Sequence, residues 1–200
     1  MSTRLAVTQK SFTFLKLLQT LLVSKMRASA VMILVVLVAM SSACDLGPNK
    51  AIQPTALLKT WYQQYSKGDP ITAIFWKCAA EQIALNGDKS GLNHKSTSKF
   101  KWLPFITSSS SGSLESKGTY WEIENGSLFK STSKAVILDQ SETYLIIQTC
   151  PNGWFIKESV WIYGNSRNDF SADDKKLIAA ALGKINLSMS DFRSVTQNGC

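Results

Sequence analysis

Few residues of this 200-residue sequence have types suited to chemistry: four cysteines, one histidine, and one adjacent pair of acids, Asp173-Asp174. A lone histidine, His94, sets aside multi-histidine metal sites and the usual Ser-His-Asp triad, so no metal centre is expected. Asp173 and Asp174 follow Ser171, where they serve as helix N-terminal charges rather than as a catalytic pair. The cysteines, Cys44, Cys78, Cys150 and Cys200, are even in number, and in an oxidising compartment they favour two disulfides. Four cysteines allow three pairings, and composition does not choose among them. The chemistry on offer is cross-linking, and no enzyme is expected.

The leader indicates the compartment. Residues 1–43 carry Arg4, Lys10, Lys16, Lys25 and Arg27 and no acid. Lys25 and Arg27 flank an uncharged, mostly apolar run from Ala28 to Met40, and Ser41-Ser42-Ala43 follows it. A basic flank, a short apolar run and small residues make a secretory signal peptide over 1–43, cleaved before Cys44, with Met26 as an alternative start. The run is short of the roughly 20 residues a membrane span needs, so no span is expected in the mature chain, 44–200. A cysteine directly after the cleavage point also fits a lipid anchor, but Ser41 stands where that signal has a Leu-like residue. Secretion is the expectation, and anchoring at Cys44 the runner-up.

Removing the leader takes away five of the 22 basic groups and leaves 17 against 14 acids. The formal +8 becomes +3, and the case for a nucleic-acid partner goes with it. With 44% apolar residues and six tryptophans, the chain has enough to fill one core.

The mature text is mostly short apolar or alternating runs between turn signals. Strands are predicted over Trp61 to Tyr65, Ile74 to Leu85, Leu92 to Trp102, Leu114 to Ile123, Leu128 to Ser131, Ala135 to Leu138, Tyr144 to Cys150 and Trp154 to Tyr163. Asn86-Gly87-Asp88, Glu124-Asn125-Gly126 and Pro151-Asn152-Gly153 read as turns, and Ser108 to Ser113 as a Ser-rich loop. About eight strands at this spacing indicate an antiparallel sandwich or barrel. The period then changes. Ser171 caps a helix whose Leu177, Ile178, Ala181 and Leu182 form one apolar stripe, ending at Gly183 and Lys184. A last short strand near Phe192 to Val195 leads to Cys200.

This order of elements resembles the lipocalin family, and within it the apolipoprotein D, crustacyanin and insecticyanin-like group, with nitrophorin and triabin-like salivary lipocalins as similar relatives. Thr60-Trp61-Tyr62 looks like the family's Gly-x-Trp-Tyr motif, and Asp139 to Tyr144 like its Thr-Asp-Tyr-x-x-Tyr motif. Val160 to Tyr163 looks like the eighth strand, and Phe170 to Ile185 like the external helix. The resemblance implies an eight-stranded antiparallel up-and-down β-barrel with one C-terminal α-helix packed outside, and pairing of Cys44 with Cys150 and Cys78 with Cys200. Two departures matter. The motif glycine is Lys59, and the family arginine that packs on the motif tryptophan falls on Asn165, with Arg167 nearby to replace it over Trp61.

The function implied is transport or storage of a small hydrophobic molecule, such as a lipid, sterol, retinoid, carotenoid or bilin, in a dry barrel cup. Burying about 400 Å² of apolar ligand is worth roughly 10 kcal/mol gross, which association costs reduce to micromolar-to-nanomolar affinity. The resemblance places Trp161 on the pocket wall, and Tyr163 shares its face by alternation. Ile147 and Tyr120 are further wall positions, and Trp61 belongs to the barrel floor. Filling a narrow core is the competing role for all four wall residues. No cofactor is expected, and the chain is read as a monomer or weak oligomer. The alternatives are a protein-binding salivary-type lipocalin acting through Lys67 to Thr72 and Ser108 to Ser113, and haem held by His94. Asn125 and Asn186 open glycosylation sequons.

Overall fold

The computed structural model describes residues 44–68, 74–87, 91–126, 131–151 and 158–200. Outside them lie the leader, most of the Lys67 to Thr72 segment, Asp88, Ser127, Leu128 to Lys130 and the residues from Asn152 to Lys157.

Eight antiparallel strands form the wall: β1 (Thr60–Lys67), β2 (Trp76–Leu85), β3 (Leu92–Phe100), β4 (Thr107–Ser116), β5 (Trp121–Asn125), β6 (Ser131–Gln140), β7 (Tyr144–Pro151) and β8 (Ser159–Gly164). From β2 to β8 each strand pairs with the next, and β1 lies between β8 and β2, closing the ring. The architecture is the up-and-down barrel that the resemblance implies. Alternation assigns the two faces: in β3, Leu92 and His94 are buried while Asn93 and Lys95 are exposed.

Sequence and structure differ most at β4. Its Ser108-to-Ser113 stretch, read as a loop from its serines, pairs residue by residue with β3 from Ser108↔Ser98 to Ser113↔Asn93. Serine has little strand preference of its own, and the ladder offered by the neighbouring strand overrides it. The segment is therefore barrel wall, not an exposed binding loop. Ala135 to Leu138 likewise belongs to one continuous β6 that begins at Ser131, and Leu114 to Ile123 is interrupted at Lys117–Tyr120.

The barrel closes unevenly. β1 pairs with β2 only from Thr60 to Tyr62, although it runs beside β8 as far as Lys67. Beyond Tyr62, the edge left over is taken by the C-terminal segment. A short strand, β9 (Arg193–Ser194), pairs with Tyr65 and Ser66. The Val195 N–H donates to the Gln64 carbonyl at 2.8 Å, and the Cys78 N–H donates to the Thr196 carbonyl at 2.9 Å. Gln197 is buried between the two strands, where its Nε2 donates to the Gln63 carbonyl at 2.7 Å and the Ala79 carbonyl at 3.0 Å. A side-chain amide thus bridges the seam where the β1–β2 ladder stops.

Both disulfides tie chain ends to this wall, in the pairing that the resemblance implies. Cys78 joins Cys200 with 5.5 Å between Cα atoms, and Cys44 joins Cys150 with 5.9 Å. Cys78 sits at a β2 irregularity with a left-handed backbone (φ 58°), a conformation the C-terminal staple holds in place. The two loops, of 106 and 122 residues, are long enough for the chain-entropy model to give roughly 4–5 kcal/mol each.

The outer face of β7 and β8 carries the second core. Tyr144, Ile146, Val160 and Ile162 pack against Ile178, Ala181 and Leu182 of α1 (Ala172–Gly183). Ser171 caps the helix, accepting from the Asp174 N–H at 3.1 Å, and Thr143 donates to Asp174 Oδ1 at 2.6 Å. Leu177, expected in the apolar stripe, points away and is 54% exposed; the sheet covers only the face centred on Ile178 and Leu182. The Asp139–Tyr144 motif is a charge cluster: Tyr144 donates to Asp139 Oδ2 at 2.9 Å and Lys50 pairs with Oδ1. Burial alone raises the Asp139 pKa, but Lys50, Tyr144 and the Gln140 N–H together hold it below the usual carboxylate value. The stability it confers is therefore present above the unfolded carboxylate pKa and lost as pH falls through the folded one.

Replacing Gln197 by alanine leaves two buried carbonyls without their donor. The expected cost is about 1–3 kcal/mol, read as a lower urea midpoint with the disulfides intact. An unchanged midpoint would show that the seam does not depend on this amide.

Candidate ligand-binding site

The site is built from the inward positions of the barrel. At one end the filling is apolar: Trp61, Leu92, Leu114, Trp121, Ile137 and Leu145 belong to one inner cluster. Trp61 is fully buried and donates its indole N–H to the Leu57 carbonyl at 3.1 Å. The cation over its ring is Lys59, with Nζ 4.8 Å from the centroid, and not Arg167. Arg167 instead lies over Tyr62 at 4.6 Å and donates to Gln197 Oε1 at 3.2 Å, which commits it to the seam. The residue in the motif-glycine position thus supplies the charge that the missing arginine would have given.

Trp161 and Tyr163 share the inner face of β8, their rings stacked 6.4 Å apart with 6° between planes. Tyr163 is buried in the inner cluster, while Trp161 and Ile147 pack against that cluster and stay only part-buried. Ile147 lies opposite Trp161 across the β7–β8 ladder. Three of the four predicted wall residues are thereby brought together. Tyr120 is not among them: it precedes β5, and its ring faces Lys134 Nζ at 5.1 Å. Lys134 is exposed and pairs with Glu122, so this is the outer side. The inward aromatic is the next residue, Trp121, which lies opposite the buried Ala135. An error of one residue in strand parity inverts the face.

The rest of the inner face is polar, which the expected dry cup did not include. Register places Ser96 opposite Ser110, Ser98 opposite Ser108, and His94 opposite Gly112 on one side of the β3–β4 sheet. On β1, a bulge between Gln63 and Tyr65 shifts the alternation. Gln63 therefore lies opposite Tyr163 and Ser66 opposite Trp161, both on the inner face. Alternation with Trp61 places Gln63 inward, but Ser66 was not legible because a bulge is invisible to a period-two count.

His94 is buried, and its Nδ1 lies 2.5 Å from Glu81 Oε1. Its Nε2 faces the Glu124 carbonyl at 3.4 Å. Both partners are acceptors, so only the protonated ring donates to both. Burial is the largest single influence and lowers the His94 pKa, yet the Glu81 hydrogen bond and charge and the Glu124 carbonyl outweigh it and raise it. Gly112 makes room for this cluster: a β-carbon there would press on the Glu124 carbonyl oxygen and sit 2.8 Å from His94 Nε2. With both nitrogens engaged, His94 has none directed at a haem iron. Among the described residues there is no group of three His, Cys, Asp or Glu side chains able to hold a metal. All four cysteines are in disulfides.

A closed eight-stranded up-and-down barrel with one helix outside the ring is the lipocalin fold. Solved structures share it. The cockroach allergen Per a 4 has a TM-score of 0.66 at 21% identity, covering 79% of this chain and 97% of its own. Lobster apocrustacyanin A1 has 0.59 at 19%, covering 76% and 91%. The amine binding protein of Rhodnius prolixus, solved as its tryptamine complex, has 0.61 at 15%, covering 76% and 84%. No protein-family model and no curated protein matches the sequence. Among the described residues, no helix is long and apolar enough to cross a membrane.

Because the His94 pKa is raised, the pair with Glu81 stabilises the fold fully below the unfolded value of 6.5 and less as pH rises through the folded one. An NMR titration of this single histidine should give a midpoint above 6.5, and Glu81→Gln should lower it. A parent midpoint at or below 6.5 contradicts the arrangement.

Proposed function

We propose that this protein is a secreted carrier that holds a small, largely apolar molecule inside its barrel, and that it is a lipocalin of the apolipoprotein D, crustacyanin and insecticyanin-like group. One observation carries the reading. Trp161 and Ile147 face the inside of a closed barrel and yet are not fully buried, as expected of walls lining an accessible space. A lumen packed solid by its own side chains would have buried both.

Two further facts support it. The ends of β2 and β3 away from Trp61 carry a group of rings in mostly edge-to-face contact, Phe75, Trp76, Phe100 and Trp102, with Trp102 64% exposed, an apolar rim suited to a hydrophobic guest. The Rhodnius prolixus protein, of the same fold, is an amine binding protein solved with tryptamine, a small aromatic molecule. Secretion rests on the leader and on two disulfides that need an oxidising compartment. With no free thiol among the four cysteines, thiol-based catalysis on this fold has no nucleophile. Of the two sequons, Asn186 is the acceptor proposed, since it is exposed after α1, whereas Asn125 pairs with Gly112 and is part-buried.

The apolar probe 1-anilinonaphthalene-8-sulfonate should bind the parent and be displaced by retinol or fatty acid. In Trp161→Ala its affinity should fall about tenfold, the value of roughly 60 Å² of lost apolar contact. Parent-like affinity in that variant would remove Trp161 from the site.

A further inference from the structure

We infer that the ligand carries an acceptor oxygen, a carbonyl or carboxylate, on its apolar body, and that Gln63, Ser66 and Trp161 form the subsite for it. The inference deepens the carrier reading and rests on it. Among the described residues, three buried side-chain atoms have no hydrogen-bond partner: Gln63 Nε2, Ser66 Oγ and Trp161 Nε1. They are not scattered. Ser66 lies opposite Trp161, Gln63 lies opposite Tyr163 two residues along the same β8 face, and the Trp161 and Tyr163 rings stack. The β1 bulge turns both β1 residues inward together, although three residues apart they would otherwise face opposite sides.

Burial makes the grouping costly. Gln63 and Ser66 are each only 2% exposed, and a buried polar group without a partner is disfavoured unless something else satisfies it. Their chemistry names that partner. An indole N–H only donates, an amide NH₂ only donates, and a hydroxyl can donate. Three donors on one patch, beside a part-buried indole face, suit one or two acceptor oxygens attached to an aromatic or unsaturated skeleton. A hydrocarbon of the same shape would leave all three unmatched, so the patch selects against it.

The test is a matched series bound to the full disulfide-intact protein and followed by isothermal titration calorimetry: 2-acetylnaphthalene, 2-naphthoate and 2-ethylnaphthalene. At least one of the two oxygen-bearing probes should bind about tenfold tighter than 2-ethylnaphthalene, and which one leads tells a neutral from a charged acceptor. In Ser66→Ala and in Trp161→Phe, with folding checked by near-UV circular dichroism, that ratio should fall towards one. Equal affinity for all three probes in the parent, or an undiminished ratio in both variants, overturns the subsite and leaves the carrier reading standing. Binding of none of the three overturns the carrier reading and the subsite with it.

Discussion

Closure at β1 is the constraint on which the rest of the molecule depends. That strand pairs with β8 from Tyr62 to Lys67 and with β2 along only its first three residues. Backbone groups beyond Tyr62 would stand unpaired in a buried seam, a penalty no barrel of this size tolerates lightly. The C-terminal segment meets the need through β9, Gln197 and the Cys78–Cys200 bridge. The bulge that accommodates the change of partner also turns Ser66 to the inner face that Gln63 occupies. Fold closure and ligand chemistry thus share one irregular strand.

Cations on aromatic rings hold the two sides of that strand. Lys59 covers Trp61 where the barrel is apolar, and Arg167 covers Tyr62 where the C-terminal segment enters. Each is worth on the order of 1 kcal/mol, modest beside the disulfides, yet each fixes a side chain that others pack on. The separation of the apolar and polar regions follows. Trp61 and its neighbours fill one end, while serines, His94 and Glu81 line the inner face elsewhere.

The fold was largely legible in the sequence because its signals are local. Alternation, turn residues, the Ser171 cap and the period of Ile178, Ala181 and Leu182 each act within a few residues. The β4 serines were not legible as strand, since their extended conformation comes from the β3 ladder rather than from propensity. The candidate site was legible only in part. Trp161 follows from the family resemblance and Tyr163 from alternation with it, whereas Tyr120 is one residue out of parity at an interrupted strand, where Trp121 is the inward aromatic. Ser66 depends on a bulge, and the substitution of Lys59 for the family arginine depends on three-dimensional proximity. No residue spacing encodes either.

The proposed carrier function requires that the lumen of this barrel be accessible to a small molecule and hold one. Native mass spectrometry of the secreted, disulfide-intact protein tests it most directly. The expected spectrum shows a protein mass carrying one small molecule with an apolar body and an acceptor oxygen, released by organic extraction and regained on adding the extract back. A bare polypeptide mass across independent preparations, with no mass gained on adding the extract back, would contradict it.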